Sequence, residues 1–199
     1  HYPNTKGFTD QFHSIISKWE QIARKLGNDF DHTGYDFYTE QPVDRGWSEA
    51  DVVAGIACLQ YIGWKQTGKS SYLEMSKKCL DWMDQRKTNP YYESLAPFGA
   101  YASALYNAEQ NGNHKTAKFI EWVLAGDNPR KWGAMLESWN GVPVHGLIGS
   151  LYPDYEYAFA MNTFQAIGIM APIARYEDRF APELAKWILN IASNSRYFY

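Results

Sequence analysis

The chain has 199 residues, of which 45% are hydrophobic and 21% are charged, and its formal net charge is −3. This composition excludes a disordered tail, because disordered segments lack the apolar residues that build a core. It also argues against a nucleic-acid partner, since the chain has no long basic run. No apolar run approaches the roughly 20 residues of a membrane span, so we expect no membrane partner either.

Hydrophobic spacing and capping residues predict seven helices. The first runs from about residue 9 to 26, and the polar, aromatic stretch 29–46 should be a loop. Gly68 and Gly112 should each end a helix, and Pro172 should kink or end another near Met170. The remaining six helices form three pairs, each joined by a short turn: 49–65 with 71–86, 96–110 with 114–124, and 157–176 with 182–193.

The two helices of each pair differ in a regular way. The first ones, such as VVAGIACLQYIGW, are small and apolar nearly all round, which is typical of a helix buried on most sides. The second ones carry charged residues on one face and share a similar tag: KKCLDWM, AKFIEWV and AKWILNI. These repeats predict an all-α fold in which antiparallel hairpins form an inner and an outer layer, as in a toroid. Cys58 and Cys79 should be buried free thiols.

We interpret residues 1–199 as a single domain of four parts. Residues 1–46 hold the N-terminal helix and loop, 47–126 two hairpins, 127–156 a cleft loop, and 157–199 the third hairpin. The cleft loop is too long for a plain connection and too apolar for disorder, so it should form the wall of a binding cleft. Within it, the runs VPV and GLIGSL could pair as a small β-hairpin.

The segments that lead into the three inner helices should meet at one end of the array, because the turns lie at the other end. These segments, 44–51, 89–97 and 137–157, are rich in carboxylates and aromatic side chains. Glycoside hydrolysis needs two carboxylates, one to protonate the leaving oxygen and one to activate water or attack. Aromatic faces can stack on sugar rings. We therefore predict catalytic carboxylates at Glu93 and at Asp154 or Glu156, and sugar-binding side chains at Trp47, Tyr92, Trp139 and Tyr155.

Three acidic residues near the inner helices differ in their settings. Glu93 lies in PYYESLAPFGAY, among aromatic residues that would bury it. Glu49 and Asp51 stand at the start of the first inner helix, where the helix dipole favours negative charge, so we interpret both as structural. Glu93 is therefore the preferred catalytic acid.

The runs GWSEAD and TGKSSYLE mark an inner helix, a short turn and an outer helix. On this pattern, Trp47 to Ser193 resemble the α/α toroids of six-hairpin glycosidases and related polysaccharide lyases. The resemblance implies a carbohydrate-active protein, foremost a glycoside hydrolase acting on a polysaccharide or oligosaccharide. A full toroid has more helices than the seven expected here, so remaining chain segments or another subunit would complete it. The start at His1 rather than Met fits a chain excised or processed from a longer protein.

Two other functions stay open. A polysaccharide lyase on the same frame needs a base and groups that neutralise the uronic acid. The candidates are Tyr155, Tyr157, His145 and Asn140, with Arg45, Arg130 and Lys131 as cations. Otherwise His145 would be a buried histidine bonded to the backbone, and Asn140 would contact substrate. The third function is a non-catalytic helical module that binds glycans or a protein.

Motifs for other chemistries give no support. The sequence has no G-x-S-x-G elbow, G-x-G-x-x-G or H-E-x-x-H motif, and no paired Cys–His spacing for zinc. Residues 63–70, GWKQTGKS, have the spacing of a P-loop, but they lie at the end of a predicted helix and not after a strand, so we do not interpret them as one. The run DFDHTGYD resembles a calcium loop only superficially, and we do not interpret it as one. We therefore expect neither a metal nor a cofactor.

Overall fold

Helices dominate the structure, a computed structural model that describes residues 5–152 and 157–197. Short 3-10 turns at Ala171–Arg175 and Asp178–Phe180 connect the last two α-helices. No helix in these ranges is both long and apolar enough to cross a membrane. The described residues contain seven α-helices: α1 Phe8–Leu26, α2 Val52–Thr67, α3 Ser70–Gln85, α4 Ala96–Gln110, α5 Thr116–Leu124, α6 Ala160–Met170 and α7 Ala181–Ser195.

Short antiparallel strands accompany the helices. They are β1 Gly34–Asp36, β2 Gln41–Val43, β3 Trp132–Ala134, β4 Ser138–Trp139, β5 Val142–Pro143, β6 Ile148–Ser150 and β7 Tyr157–Ala158. β1 pairs with β2, β4 pairs with β5, and β6 lies between β3 and β7. The mainly helical prediction is therefore confirmed, but the all-α prediction is too strict. Most of the strands lie in the two stretches that the sequence predicts as loops, 29–46 and 127–156.

The runs VPV and GLIGSL both contain a strand, but the prediction that they pair with each other is wrong. Val142–Pro143 pairs with Ser138–Trp139 across Asn140 and Gly141, whose φ values are 49° and 79°. A two-residue hairpin turn requires positive φ at both central residues, and Asn-Gly adopts it readily. Ile148–Ser150 then pairs with β3 and β7 instead.

Two predicted helix ends shift by one to three residues. The helix expected from Glu49 begins at Val52, after a turn in which the amides of Val52 and Val53 donate to the carbonyls of Glu49 and Ala50. The helix expected to end with Gly112 ends with Asn111, which adopts the left-handed conformation at φ 53°. Asparagine tolerates this conformation better than most residues.

The third inner helix is shorter than predicted. It begins at Ala160 instead of Tyr157, because Tyr157 and Ala158 complete the sheet by pairing with β6. The α-helix ends at Met170, as Pro172 predicted, and the chain continues as a 3-10 turn.

The helices pack as two rows. In the first row α4 lies between α2 and α6, while α3, α5 and α7 pack against α2, α4 and α6 respectively. α1 packs against α2 and α3. Small residues bring the first row close together: a Cβ on Gly99 of α4 would lie 2.9 Å from the Cβ of Ala54 on α2. Cys58 and Cys79 are buried free thiols, which confirms that prediction.

Candidate functional site

Two adjoining cavities open at the end of the molecule where α2 and α4 begin. They share Arg130 and Tyr152, and we call them together the cleft. Of these two cavities, only the second has a volume within the range of small-molecule pockets, at the lower end of that range. The first cavity, about 160 Å³, is lined by Tyr92, Glu93, Arg130, Trp132, Ser150, Tyr152 and Tyr157. The second, about 310 Å³, is lined mainly by Trp47, Ser48, Arg86, Asn89, Tyr91 and Pro129 besides the two shared residues.

The three-stranded sheet supplies one wall of the first cavity. Trp132 on β3 is paired with Ser150 on β6, which is paired in turn with Tyr157 on β7. Residues directly opposite on neighbouring strands point to the same face of a sheet. The ring centroids of Trp132 and Tyr157 accordingly lie 6.0 Å apart in an edge-to-face arrangement. The sheet therefore places an aromatic pair against the cavity.

The segment before α4 supplies the facing wall. Its Glu93 carbonyl accepts hydrogen bonds from Trp132 Nε1 at 2.9 Å and from Asn162 Nδ2 at 2.8 Å. The side chain of Glu93 is exposed, so the burial among aromatic residues that the sequence suggested is wrong. Tyr92 is half-buried, and the Arg130 guanidinium lies 4.3 Å from its ring centroid. A carboxylate, a cation and aromatic faces thus meet in one cavity.

Side-chain contacts also fix the second cavity. The Asn89 side chain donates through Nδ2 to the Trp122 carbonyl at 2.8 Å and to Asp127 at 2.6 Å. Its side-chain oxygen Oδ1 accepts the backbone amide of Tyr91 at 2.9 Å. Tyr152 donates its hydroxyl to the Pro129 carbonyl at 2.8 Å. The wall of this cavity is therefore held by polar contacts from several segments.

The two arginines of the cleft differ in how their charge is balanced. Arg86 forms a two-pronged ion pair with Asp31, at 2.8 and 2.6 Å, and holds the pKa of that carboxyl below its usual value. Arg130 is exposed and stacks on Tyr92. Arg130 is therefore the cation better placed to meet a ligand.

Asp51 lies buried behind the cleft, with 2% of its surface exposed. Its Oδ2 accepts the backbone amides of Tyr92 at 3.3 Å and Leu95 at 3.2 Å. Asp51 stands immediately before α2, as its interpretation as a charge at the start of that helix expects. Its carboxyl makes no capping hydrogen bond to α2, however, and instead accepts amides of the segment that enters α4. Burial raises the pKa of Asp51 to about 7, although the amides of Tyr92, Leu95 and Ala96 act in the opposite direction.

Asp51 should make stability depend on pH. Its folded pKa of about 7 lies above the ordinary value of 3.8, so between these values the folded chain binds more protons than the unfolded one. Its contribution to the free energy of unfolding is therefore largest below about pH 4 and falls by about 4 kcal/mol as the pH rises to about 8. Urea denaturation at several pH values, comparing wild type with Asp51→Asn, isolates this effect. A difference between the two proteins that stays constant with pH would contradict it.

Trp47 stands at the outer edge of the second cavity. Its indole N–H donates to Glu49 at 2.9 Å, and 42% of the residue is exposed. Glu49 therefore orients an aromatic face that solvent can reach.

Three other predicted residues line neither cavity. Trp139 packs against the hydrophobic core, and Asn140 is the first turn residue of the β4–β5 hairpin. His145 is exposed, so its interpretation as a buried histidine is wrong, and its backbone carbonyl accepts Asn194 of α7 at 2.9 Å. The structure thus brings Trp47, Tyr92 and Glu93 to the cleft and places these three elsewhere. Asp154, Tyr155 and Glu156 lie outside the described residues.

A possible metal-binding group lies away from the cleft. Asp81, Asp84 and His114 bring their ligand atoms within 4.8 Å of one another. His114 Nδ1 already lies 2.7 Å from Asp84, Lys77 pairs with Asp81 at 2.7 Å, and the Lys115 amide donates to Asp84 at 2.9 Å. These donors explain the cluster as an ion-pair network that ties α3 to the start of α5.

Trp132, Ser150 and Tyr152 lie in the stretch 127–156 that the sequence predicted as the cleft wall, but the sequence did not single them out as site residues. Trp132 and Ser150 meet through the pairing of β3 with β6, and the short runs WGA and IGS carry too little periodicity to predict that pairing. The chain matches no protein-family model, no curated protein and no solved structure. Its function is therefore argued from the cleft.

Proposed function

We propose that this protein is a carbohydrate-active domain and that it hydrolyses glycosidic bonds of a polysaccharide held in the cleft. One observation carries the proposal. Aromatic side chains from separate segments of the chain line the cleft beside an exposed carboxylate: Trp47, Tyr92, Trp132, Tyr152 and Tyr157, with Glu93.

The packing of the helices supports an arc of a toroid. α2, α4 and α6 lie side by side as inner helices, and each has its hairpin partner on it. The inner helices α2 and α4 are largely buried, while exposed charged residues are found on the outer helix α3. For α2 and α4 this is the arrangement expected from the resemblance to six-hairpin glycosidases, whereas α6 leaves Met161 and Phe164 72% and 50% exposed.

The aromatic side chains suit sugar rings. Trp47 and Tyr157 are each 42% exposed, and both are held in place, by the Trp47–Glu49 hydrogen bond and by the contact of Tyr157 with Trp132. Rigid aromatic faces bind the apolar faces of sugars with little loss of side-chain entropy. The two cavities would then hold neighbouring sugar units on either side of Arg130.

Glu93 is assigned the role of proton donor to the leaving oxygen. The second carboxylate is Asp154 or Glu156, which would activate water or attack the sugar. Tyr152 and Tyr157 precede and follow this segment, and both line the first cavity with Glu93. The cavity lining thus includes a residue on each side of the segment in sequence, and this supports the assignment.

A panel of polysaccharides tests the proposal. The intact protein is incubated with each one, and reducing ends are measured together with ultraviolet absorbance of the product. Hydrolysis should release reducing ends from at least one polysaccharide without any rise in absorbance, because it forms no double bond. Absence of both signals, combined with saturable binding to a glycan, would replace the enzyme by a non-catalytic glycan-binding module.

A polysaccharide lyase is the second candidate, and the position of Arg130 favours it. Arg130 lies on the wall shared by both cavities, where it could neutralise a uronic acid. Tyr157 lines the first cavity and could serve as the base, whereas His145 and Asn140 do not reach it. In the same panel this function would give an unsaturated product that absorbs in the ultraviolet.

A further inference from the structure

The chain from Tyr91 to Leu95 forms a wall of the cleft without belonging to a helix or strand. Its conformation therefore depends on side chains that hold its backbone. Trp132 and Asn162 hold it at the Glu93 carbonyl. Asp51 accepts hydrogen bonds from backbone amides on both sides of Glu93, those of Tyr92 and Leu95.

Asp51 links two parts of the structure that are far apart in sequence. It stands at the start of α2, and it reaches the amides of Tyr92, Leu95 and Ala96 at the start of α4. The amides of Leu95 and Ala96 belong to the N-terminal end of α4, where the helix dipole favours a negative charge. A charged carboxyl accepts such hydrogen bonds more strongly than a neutral one.

We propose that Asp51 is a positioning residue that works as a pH-sensitive latch: its carboxylate holds Tyr92 and Glu93 at the cleft, and its protonation loosens that hold. Both hydrogen bonds end on Oδ2, so the proton goes to Oδ1, and Oδ2 stays an acceptor but becomes a neutral and weaker one. The segment then keeps the hydrogen bonds at the Glu93 carbonyl. The hydrogen bonds from the Tyr92 and Leu95 amides to Asp51 become weaker. The consequence for glycan binding rests on the proposed function, whereas the movement of the segment does not.

The backbone amides and charged side chains around Asp51 set the pH at which its carboxyl loses its proton, which lies near neutrality. Desolvation raises its pKa, the three amides lower it, and the negative charge of Glu49 raises it. On the facing segment, Asp51 raises the pKa of Tyr91 and Tyr92 in addition to the effect of their burial. Glu93 adds negative charge on the same segment, and Arg130 acts on Tyr92 from the cleft side. The balance leaves Asp51 with a pKa of about 7.

Amide resonances of labelled protein test the latch directly. Proton and nitrogen shifts of Tyr92, Leu95 and Ala96 are followed from about pH 5.5 to about 8.5. All three should move together with one midpoint near 7, and their hydrogen exchange at a fixed pH should be faster in Asp51→Asn than in wild type. In Asp51→Asn the shared titration should disappear while the rest of the spectrum keeps its dispersion.

Glu49→Gln is the matched control. It removes a neighbouring carboxylate and keeps Asp51, so the shared titration should persist with a lower midpoint. Flat shifts in wild type, or an equal titration in Asp51→Asn, would overturn the latch. This measurement needs no glycan. If the segment titrates but the protein acts on no polysaccharide, the latch stands and only the proposed function is removed. If the protein cleaves a polysaccharide but the segment does not titrate, only the latch is removed.

Discussion

Replacing Gly149 with alanine should lower the free energy of unfolding by at least about 3 kcal/mol. A Cβ at this position would lie 1.9 Å from the carbonyl oxygen of Tyr157 and 2.8 Å from the Cα of Ala158. Both contacts are with backbone, which cannot rotate away as a side chain can. Because Gly149 lies on the central strand, opposite Gly133 and Ala158, the clash should separate β7 from the sheet and move Tyr157 out of the cleft.

Gly168→Ala is the matched control. Gly168 lies in α6, and a Cβ there would meet nothing within 4 Å. Alanine in place of a helical glycine should stabilise the protein by about 0.5–1 kcal/mol. Urea denaturation of both variants measures the effects. A Gly149→Ala protein as stable as wild type would show that β6 and β7 do not pair as closely as described.

The helices were predictable because their signals are local. The spacing of apolar residues predicted a helix over residues 9–26, and the structure has α1 at Phe8–Leu26. Gly68 was expected to end a helix, and it does so in the left-handed conformation at φ 71°. Each of these features depends on residues only a few positions apart, which a sequence displays directly.

The strands were harder to predict because pairing overrides local preference. Tyr157 continues an apolar helical pattern, yet it joins the sheet because β6 lies beside it. Asn140-Gly141 was a local hairpin signal, and the interpretation of Asn140 as a site residue passed over it. Short strands of two or three residues leave no period of their own to detect.

The cleft was predictable only in outline. The alternation of inner and outer helices placed Trp47, Tyr92 and Glu93 near one another, and all three line the cleft. The role of Asp51 had no local sign, because its partners Tyr92 and Leu95 lie 41 and 44 residues away. A buried carboxyl that holds a distant loop is visible only when the chain is folded.

Replacing Glu93 with glutamine should lower turnover of the polysaccharide found by the panel by about 10²–10⁴-fold, because an amide cannot donate the proton that the leaving oxygen needs. Folding should be unaffected. The Glu93 side chain is exposed, and the contacts of Trp132 and Asn162 go to its backbone carbonyl, which the variant keeps. The midpoint temperature of thermal denaturation should therefore shift by no more than corresponds to a change of about 0.5 kcal/mol in the free energy of unfolding.

Two control measurements distinguish a proton-donating role of Glu93 from other roles. Glu74→Gln removes an exposed carboxylate on α3 that lines neither cavity, and it should keep full turnover. For an aryl glycoside whose leaving group departs without protonation, Glu93→Gln should keep nearly the kcat/KM of wild type, because kcat/KM reports the departure of the leaving group and the missing proton is not required there. Equal losses on both substrates would make Glu93 a binding residue. Unchanged turnover on the polysaccharide would remove it from the site, and the proton donor would have to be sought in another carboxylate.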